Sequence, residues 1–130
     1  RDDTGEELAG RKWLVVDVDM RNILALSKVL RAKGLEVSLA QDGQKALKVL
    51  NESPDTELVL MDVMMPIMDG YETIQEIRKD PRFGKLPIIS LTAKAMRGDR
   101  EKSLAAGAND YLSKPIDIPK LLSMMRVWLP

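Results

Sequence analysis

Four polar residues stand where short apolar runs end. Asp17 follows residues 13–16, Asp62 follows 58–61, Thr92 follows 88–91, and Lys114 follows Tyr111, Leu112 and Ser113. Polar residues also collect at strand ends simply because loops begin there, so it is the combination of types that points to a site. Two converging carboxylates suit a hard divalent cation, of which Mg²⁺ fits best, because it prefers oxygen ligands and retains waters. Lys114 supplies a point charge and Thr92 a hydroxyl donor for phosphoryl oxygens. A carboxylate on a sharp turn can itself be the nucleophile, forming an acyl phosphate. Asp62 is the better placed of the two, since Pro66 and Gly70 bracket a turn-rich loop expected to leave it exposed at a helix entrance.

Other chemistries are excluded by what the chain lacks. With no histidine and no cysteine in 130 residues, there is no Ser-His or Cys-His nucleophile pair, no thiol redox chemistry, no disulfide and no ordinary zinc site. A balance of 45% hydrophobic and 31% charged residues fits one globular domain with its own core. Lys plus Arg equal Asp plus Glu at 20 each, and the basic residues are scattered, which argues against a nucleic-acid surface. No apolar run approaches 18 residues, so no membrane contact is expected, and a cytoplasmic setting follows as an expectation. Residues 1–10, with Asp2, Asp3, Glu6 and Glu7, read as a linker or flexible tail, leaving residues 11–130 as the domain; the first residue, Arg1, suggests a segment of something longer.

Two alternating periodicities must position the four polar residues. The runs at 13–16, 58–61 and 88–91 are almost continuously apolar, as expected of parallel strands covered on both faces. A weaker run lies at Tyr111 and Leu112, and Val37 and Leu39 alternate with polar neighbours as an edge strand does. Ile23, Leu26, Val29 and Leu30 mark one face of a helix over about 21–33, ended by Gly34. Ala46, Leu47 and Leu50 mark a second, and Tyr71, Ile74 and Ile77 a third. A fourth spans about 99–106 before Gly107, and a fifth has Pro119 in its first turn with Leu121, Leu122, Met125 and Trp128 facing inward. Five β-α units give an α/β, doubly wound (βα)₅ domain of three layers around a five-stranded parallel sheet.

The stretch LVLMDVMMPIMDG over 58–70, with LTAKA over 91–95 and YLSKP over 111–115, resembles the receiver domain of two-component response regulators. The resemblance covers about residues 11–129; LTAKAM and the ending RVWLP look most like receivers at the C-terminus of hybrid sensor histidine kinases. It implies the flavodoxin-like strand order 2-1-3-4-5. It also implies that Asp62 accepts a phosphoryl group from a phosphohistidine, carried by a histidine kinase or histidine phosphotransfer domain in cis or in trans. Thr92 would be the switch hydroxyl, Tyr111 the switch aromatic, Lys114 the conserved cation with a cis bond to Pro115, and Asp17, Asp62 and the Met64 backbone carbonyl the Mg²⁺ ligands. A dimer through the fourth helix, fifth strand and fifth helix is left open.

One position breaks the family pattern. Receivers carry adjacent acids after the first strand, whereas here VVDVDMRN over 15–22 places Val18 where the second acid, a direct metal ligand, belongs. Asp19 compensates only if the loop shifts. The alternative is therefore a degenerate receiver with weakened metal binding, acting as a phosphorylation-independent docking module. Asp17-Val18-Asp19 also resembles the first motif of haloacid-dehalogenase-type phosphatases, but that reading finds only Asp117 beyond Lys114 and gives Asp62 no role. Met61, Met64, Met65 and Met68 read as gap-filling packing rather than a soft-metal site. Arg97-Gly98-Asp99 reads as the approach to the fourth helix, and 4% aromatic residues do not wall a flavin.

Overall fold

A computed structural model describes residues 9–65, 68–92 and 98–128. The expectations placed on residues 1–8, Pro66 and Arg97 lie outside the described residues. Five strands form one parallel sheet in the order β2-β1-β3-β4-β5: β1 (Lys12–Val16), β2 (Glu36–Ala40), β3 (Leu58–Asp62), β4 (Ile88–Thr92) and β5 (Asp110–Ser113). Five helices connect and follow them: α1 (Met20–Ala32), α2 (Gly43–Glu52), α3 (Gly70–Lys79), α4 (Asp99–Ala106) and α5 (Ile118–Trp128). A 3₁₀ turn, Pro81–Phe83, lies between α3 and β4 and had no periodic signal of its own. The alternating strand, β2, is an edge as its pattern implied, and it is the only strand of the first four with partly exposed positions along most of its length.

Side-chain alternation divides the core in two. On β1, Trp13 and Val15 face α1 and α5 together with Leu58, Leu60, Ile89, Leu91 and Leu112, where they meet Ile23, Leu26 and Leu30 of α1 and Leu121 and Met125 of α5. Leu14, Val16, Val59, Met61 and Ile88 face the other way, against Ala46 and Leu50 of α2, Ile74 and Ile77 of α3, and Ala106 of α4. Each such fully buried aliphatic side chain contributes roughly 1.5–3 kcal/mol of transfer free energy. Val29 corrects the helix expectation: it is 38% exposed, and Ser27 takes its place on the buried face. The four-residue interval from 23 places position 27 over the sheet, while 29 lies on the flank of that face. Leu122 packs only partly into the core, and Trp128 is half-buried at the end of α5.

The entrances of the first three helices are fixed by carboxylates. Asp19, Asp42 and Asp69 cap α1, α2 and α3, accepting from the amides of Arg21, Lys45 and Glu72. These caps set where each chain turns away from the carboxyl edge of the sheet, which is where all four candidate residues lie.

Candidate functional site

The parallel register brings the strand ends level: Val16 pairs with Met61, Asp62 with Leu91, and Thr92 with Ser113. Asp17, immediately after β1, is held by its own amide on Ala40 O at 3.1 Å and by the Asp19 amide, which donates to Asp17 Oδ1 at 2.8 Å. Lys114 is placed by its amide on Thr92 O at 2.7 Å, followed by a cis bond to Pro115 as the family resemblance implied. From there its ammonium reaches Asp17 Oδ2 at 2.8 Å and Asp62 Oδ1 at 3.4 Å. The Met64 amide donates to the same Asp62 oxygen at 3.1 Å.

Asp62 is not on an exposed loop. It is the last residue of β3 and only 1% exposed. The expectation of exposure fails because the strand runs one residue further than its apolar letters, so that Lys114 and the neighbouring backbone close over the carboxylate. Gly70 contributes to that closure. A Cβ there would meet the Asp62 carbonyl oxygen and the Val63 Cα, so the first turn of α3 packs on the end of β3 only because residue 70 has no side chain. The role of Gly70 and the Met64 amide bond were not read from the sequence; the glycine directly after the capping Asp69 was the available signal.

Electrostatics follow from this burial. Asp62 has its pKa raised, first by desolvation and then by the Asp17 charge, with the Met64 amide and Lys114 pulling the other way. Desolvation pulls Lys114 down, but its contacts with Asp17 and Asp62 outweigh that and leave its pKa raised. The pocket therefore sets a buried cation against two acidic side chains, one of which, Asp62, gains from any further neutralisation. Thr92, also buried, closes the cleft with an Oγ1 that has no hydrogen-bond partner among the described residues. Tyr111 lies half-buried on β5, one residue before Leu112. A cavity of about 230 Å³ opens beside Asp17 and Lys114, walled by Leu26, Val29, Leu91 and Ile118.

The donor set for a metal is short. Among the described residues, no group of three or more acidic side chains comes together to hold an ion. Val18 is 44% exposed beside the cleft and offers no oxygen. The Asp19 carboxylate is engaged with the Arg21 amide at 2.9 Å at the start of α1. Met64 is exposed beyond Asp62.

Residues 13–126 match the response regulator receiver domain. The chain belongs to that family. This receiver is 38% identical over 126 residues to hybrid signal transduction histidine kinase I of Dictyostelium discoideum, across 92% of this chain and 7% of that protein. It therefore spans a small part of that relative. The receiver domain of the sensor histidine kinase PA1611 from Pseudomonas aeruginosa, solved with a magnesium ion coordinated in its active-site cleft, superposes with a TM-score of 0.84 at 38% identity, covering 92% of this chain and 98% of that one. The receiver of Saccharomyces cerevisiae Ssk1, solved with the histidine phosphotransfer protein Ypd1, gives 0.84 at 27% identity, covering 93% and 90%. Membership in the receiver family overturns the phosphatase reading, whose second Asp is here a helix cap.

Proposed function

We propose that this receiver accepts a phosphoryl group on Asp62 and works as a relay step in two-component signalling, attached to a hybrid histidine kinase in the cytoplasm. The observation that carries the reading is the convergence of Asp62, Asp17 and Lys114 beside a buried, unpartnered Thr92 hydroxyl. An Asp62 carboxylate oxygen attacks the phosphorus of a phosphohistidine presented by a kinase or phosphotransfer domain. The P–N bond breaks, its electron pair returns to the imidazole, and an acyl phosphate forms on Asp62. Lys114 loosens its contact with Asp62 to take a phosphoryl oxygen, and the Thr92 hydroxyl donates to another. Movement of Thr92 then lets Tyr111 reorient, which alters the α4-β5-α5 surface. Dimerisation through that surface is one output open to this receiver.

Asp17, Asp62 and the Met64 carbonyl would hold Mg²⁺, which when bound offsets the charge of two approaching anions. Oxygen donors of this kind fit the ion, and the burial that raises the Asp62 pKa favours a second cation beside that side chain. Val18 leaves the set one carboxylate short, so we assign this receiver a weaker Mg²⁺ affinity than a variant carrying Val18→Asp.

A second reading is favoured by Val18 together with the shorter of the two Lys114 contacts, which goes to Asp17 rather than Asp62: a receiver that docks partners without being phosphorylated. Labelling with acetyl phosphate, followed by mass and by amide signals at Thr92, separates the two. An acyl phosphate on wild type that is lost in Asp62→Asn supports the relay. Absence of labelling at tens of millimolar Mg²⁺, restored in Val18→Asp, supports the docking module.

A further inference from the structure

A cavity of about 230 Å³ lies between α1 and the segment that joins β5 to α5. Leu26 and Val29 of α1, Leu91 of β4, Ile116 and Ile118 make its apolar wall, and Asp17 and Lys114 its charged part. The core does not close over it. Val29 is 38% exposed, and Ile116 and Ile118 are only half-buried, so branched aliphatic side chains border an open space from which an apolar body would displace water. Apolar walls with a few convergent polar groups are the usual make-up of a small-molecule site.

Size and charge narrow the occupant. A cavity of roughly 150 Å³ takes up the ring of benzene, so in proportion this one has room for about nine non-hydrogen atoms, a ring or short chain with one head group. Charge selects the head group. Lys114 is already shared between two acids, at 2.8 Å from Asp17 Oδ2 and 3.4 Å from Asp62 Oδ1, whereas those acids have this one lysine between them. Asp17 accepts from the Asp19 amide and from Lys114, and a carboxylate has room for further donors. Among the described residues that line the cavity, Lys114 is the only cation. An anionic head would lie beside Asp17 without a cation of its own, while an ammonium supplies a second positive charge.

We propose that this cavity binds a small amphipathic amine, with its ammonium on the Asp17 carboxylate and its apolar body between α1 and the β5-α5 segment. An amine seated there occupies the carboxylate assigned above to Mg²⁺, so amine and metal exclude each other. That exclusion rests on the metal site proposed above; the amine site does not.

The test uses phenethylamine, followed by the amide signals of 22–29 and 116–118 with chelator present. Saturable shifts are expected there, with an affinity about 10-fold above that of 2-phenylethanol, which has the same skeleton without the charge. Phenylacetate should bind more weakly still. Val29→Phe brings a ring to the cavity from a partly exposed position and should abolish the shifts. Asp17→Asn should bring amine and alcohol to equal affinity, and Val29→Phe, which leaves Asp17 in place, decides the site even where Asp17→Asn unfolds. Absent saturation, alcohol or phenylacetate bound as tightly as the amine, or amine binding unchanged in Val29→Phe would each overturn the amine site. Adding Mg²⁺ in place of chelator separates the readings. Mg²⁺ shifts near Asp62 that weaken as phenethylamine is added support the exclusion, and shifts indifferent to the amine overturn it. No Mg²⁺ response at all sinks the metal site, while the titrations without metal still decide the cavity.

Discussion

Lys114 Nζ sits 2.8 Å from Asp17 Oδ2 and 3.4 Å from Asp62 Oδ1, so the acid after β1, rather than the acid that ends β3, holds the cation most closely. The Asp19 amide on the other Asp17 oxygen fixes that arrangement. Asp62 is left buried with incomplete neutralisation, which is a cost to the fold and, on the reading proposed above, suits it to a charge-bearing role.

That cost has a pH signature. Because the folded-state pKa of Asp62 is raised, the folded protein holds its proton more tightly than the unfolded chain does. Stability is unaffected by this group below the ordinary carboxylate range and falls as pH rises through the raised value. Asp62→Asn removes the penalty. Its urea midpoint, measured with chelator present, should exceed that of wild type at pH 7, and the gap should close as the pH is taken down through the ordinary carboxylate range. Curves that stay parallel over that span would show that Asp62 is not the strained group.

Removing the cation should act in the opposite direction. Lys114→Met leaves two buried carboxylates facing each other, and breaking a buried pair from one side costs about 3 kcal/mol. Urea unfolding at pH 7 should show a loss of that order, shrinking towards acid as Asp62 takes up a proton. The raised Lys114 pKa gives a second signature in wild type: its contribution is complete below the ordinary lysine range and disappears only as pH rises through the elevated folded value.

Most of this site was legible in the residues. Asp17, Asp62, Thr92 and Lys114 were found because each ends an apolar run, and in a parallel sheet those ends share an edge. The α4 boundaries, Asp99–Ala106, were legible from the glycines on either side. Periodicity could not order the strands, since it says nothing about which pairs with which; the order came from family resemblance. Nor could it reveal that Asp62 is buried, because burial there depends on how the start of α3 at Gly70 packs back on the end of β3 and on Lys114, far along the chain just after β5. Val29 misled because a helix with an apolar residue at every third or fourth position has more candidates than its buried face has places.

Asp19 tests whether the shortened acid cluster repairs itself. Its carboxylate caps α1 while its amide, which any residue but proline supplies, holds Asp17. Asp19→Ala should therefore cost about 1 kcal/mol in urea unfolding, as loss of a helix cap does. Mg²⁺ affinity, followed by amide shifts near Asp62, should stay within twofold of wild type. A larger loss of affinity would make Asp19 a metal ligand after all.

Arg78 ties the far end of the domain together and gives a prediction independent of the phosphoacceptor chemistry. Its guanidinium donates to Gly107 O at 2.9 Å, Phe83 O at 2.7 Å and Asn109 Oδ1 at 2.9 Å, and the same Asn109 oxygen accepts from the Ile88 amide at 2.9 Å. Burial lowers the Arg78 pKa without threatening its charge. Arg78→Met would keep the packing of the stem but leave Gly107 O to find another donor and Asn109 Oδ1 and Phe83 O with only the Ile88 and Leu86 amides, at a cost of about 2 kcal/mol in urea unfolding. Asn109→Ala should cost less in its own right and should be strongly non-additive with Arg78→Met, because both changes break the same bond. Additive losses would mean that the two residues stabilise the α4-β5 turn separately. Acetyl phosphate labelling at Asp62 should survive both changes at temperatures where the fold is intact, since this network sits at the amino edge of the sheet, a strand's length from the acceptor carboxylate.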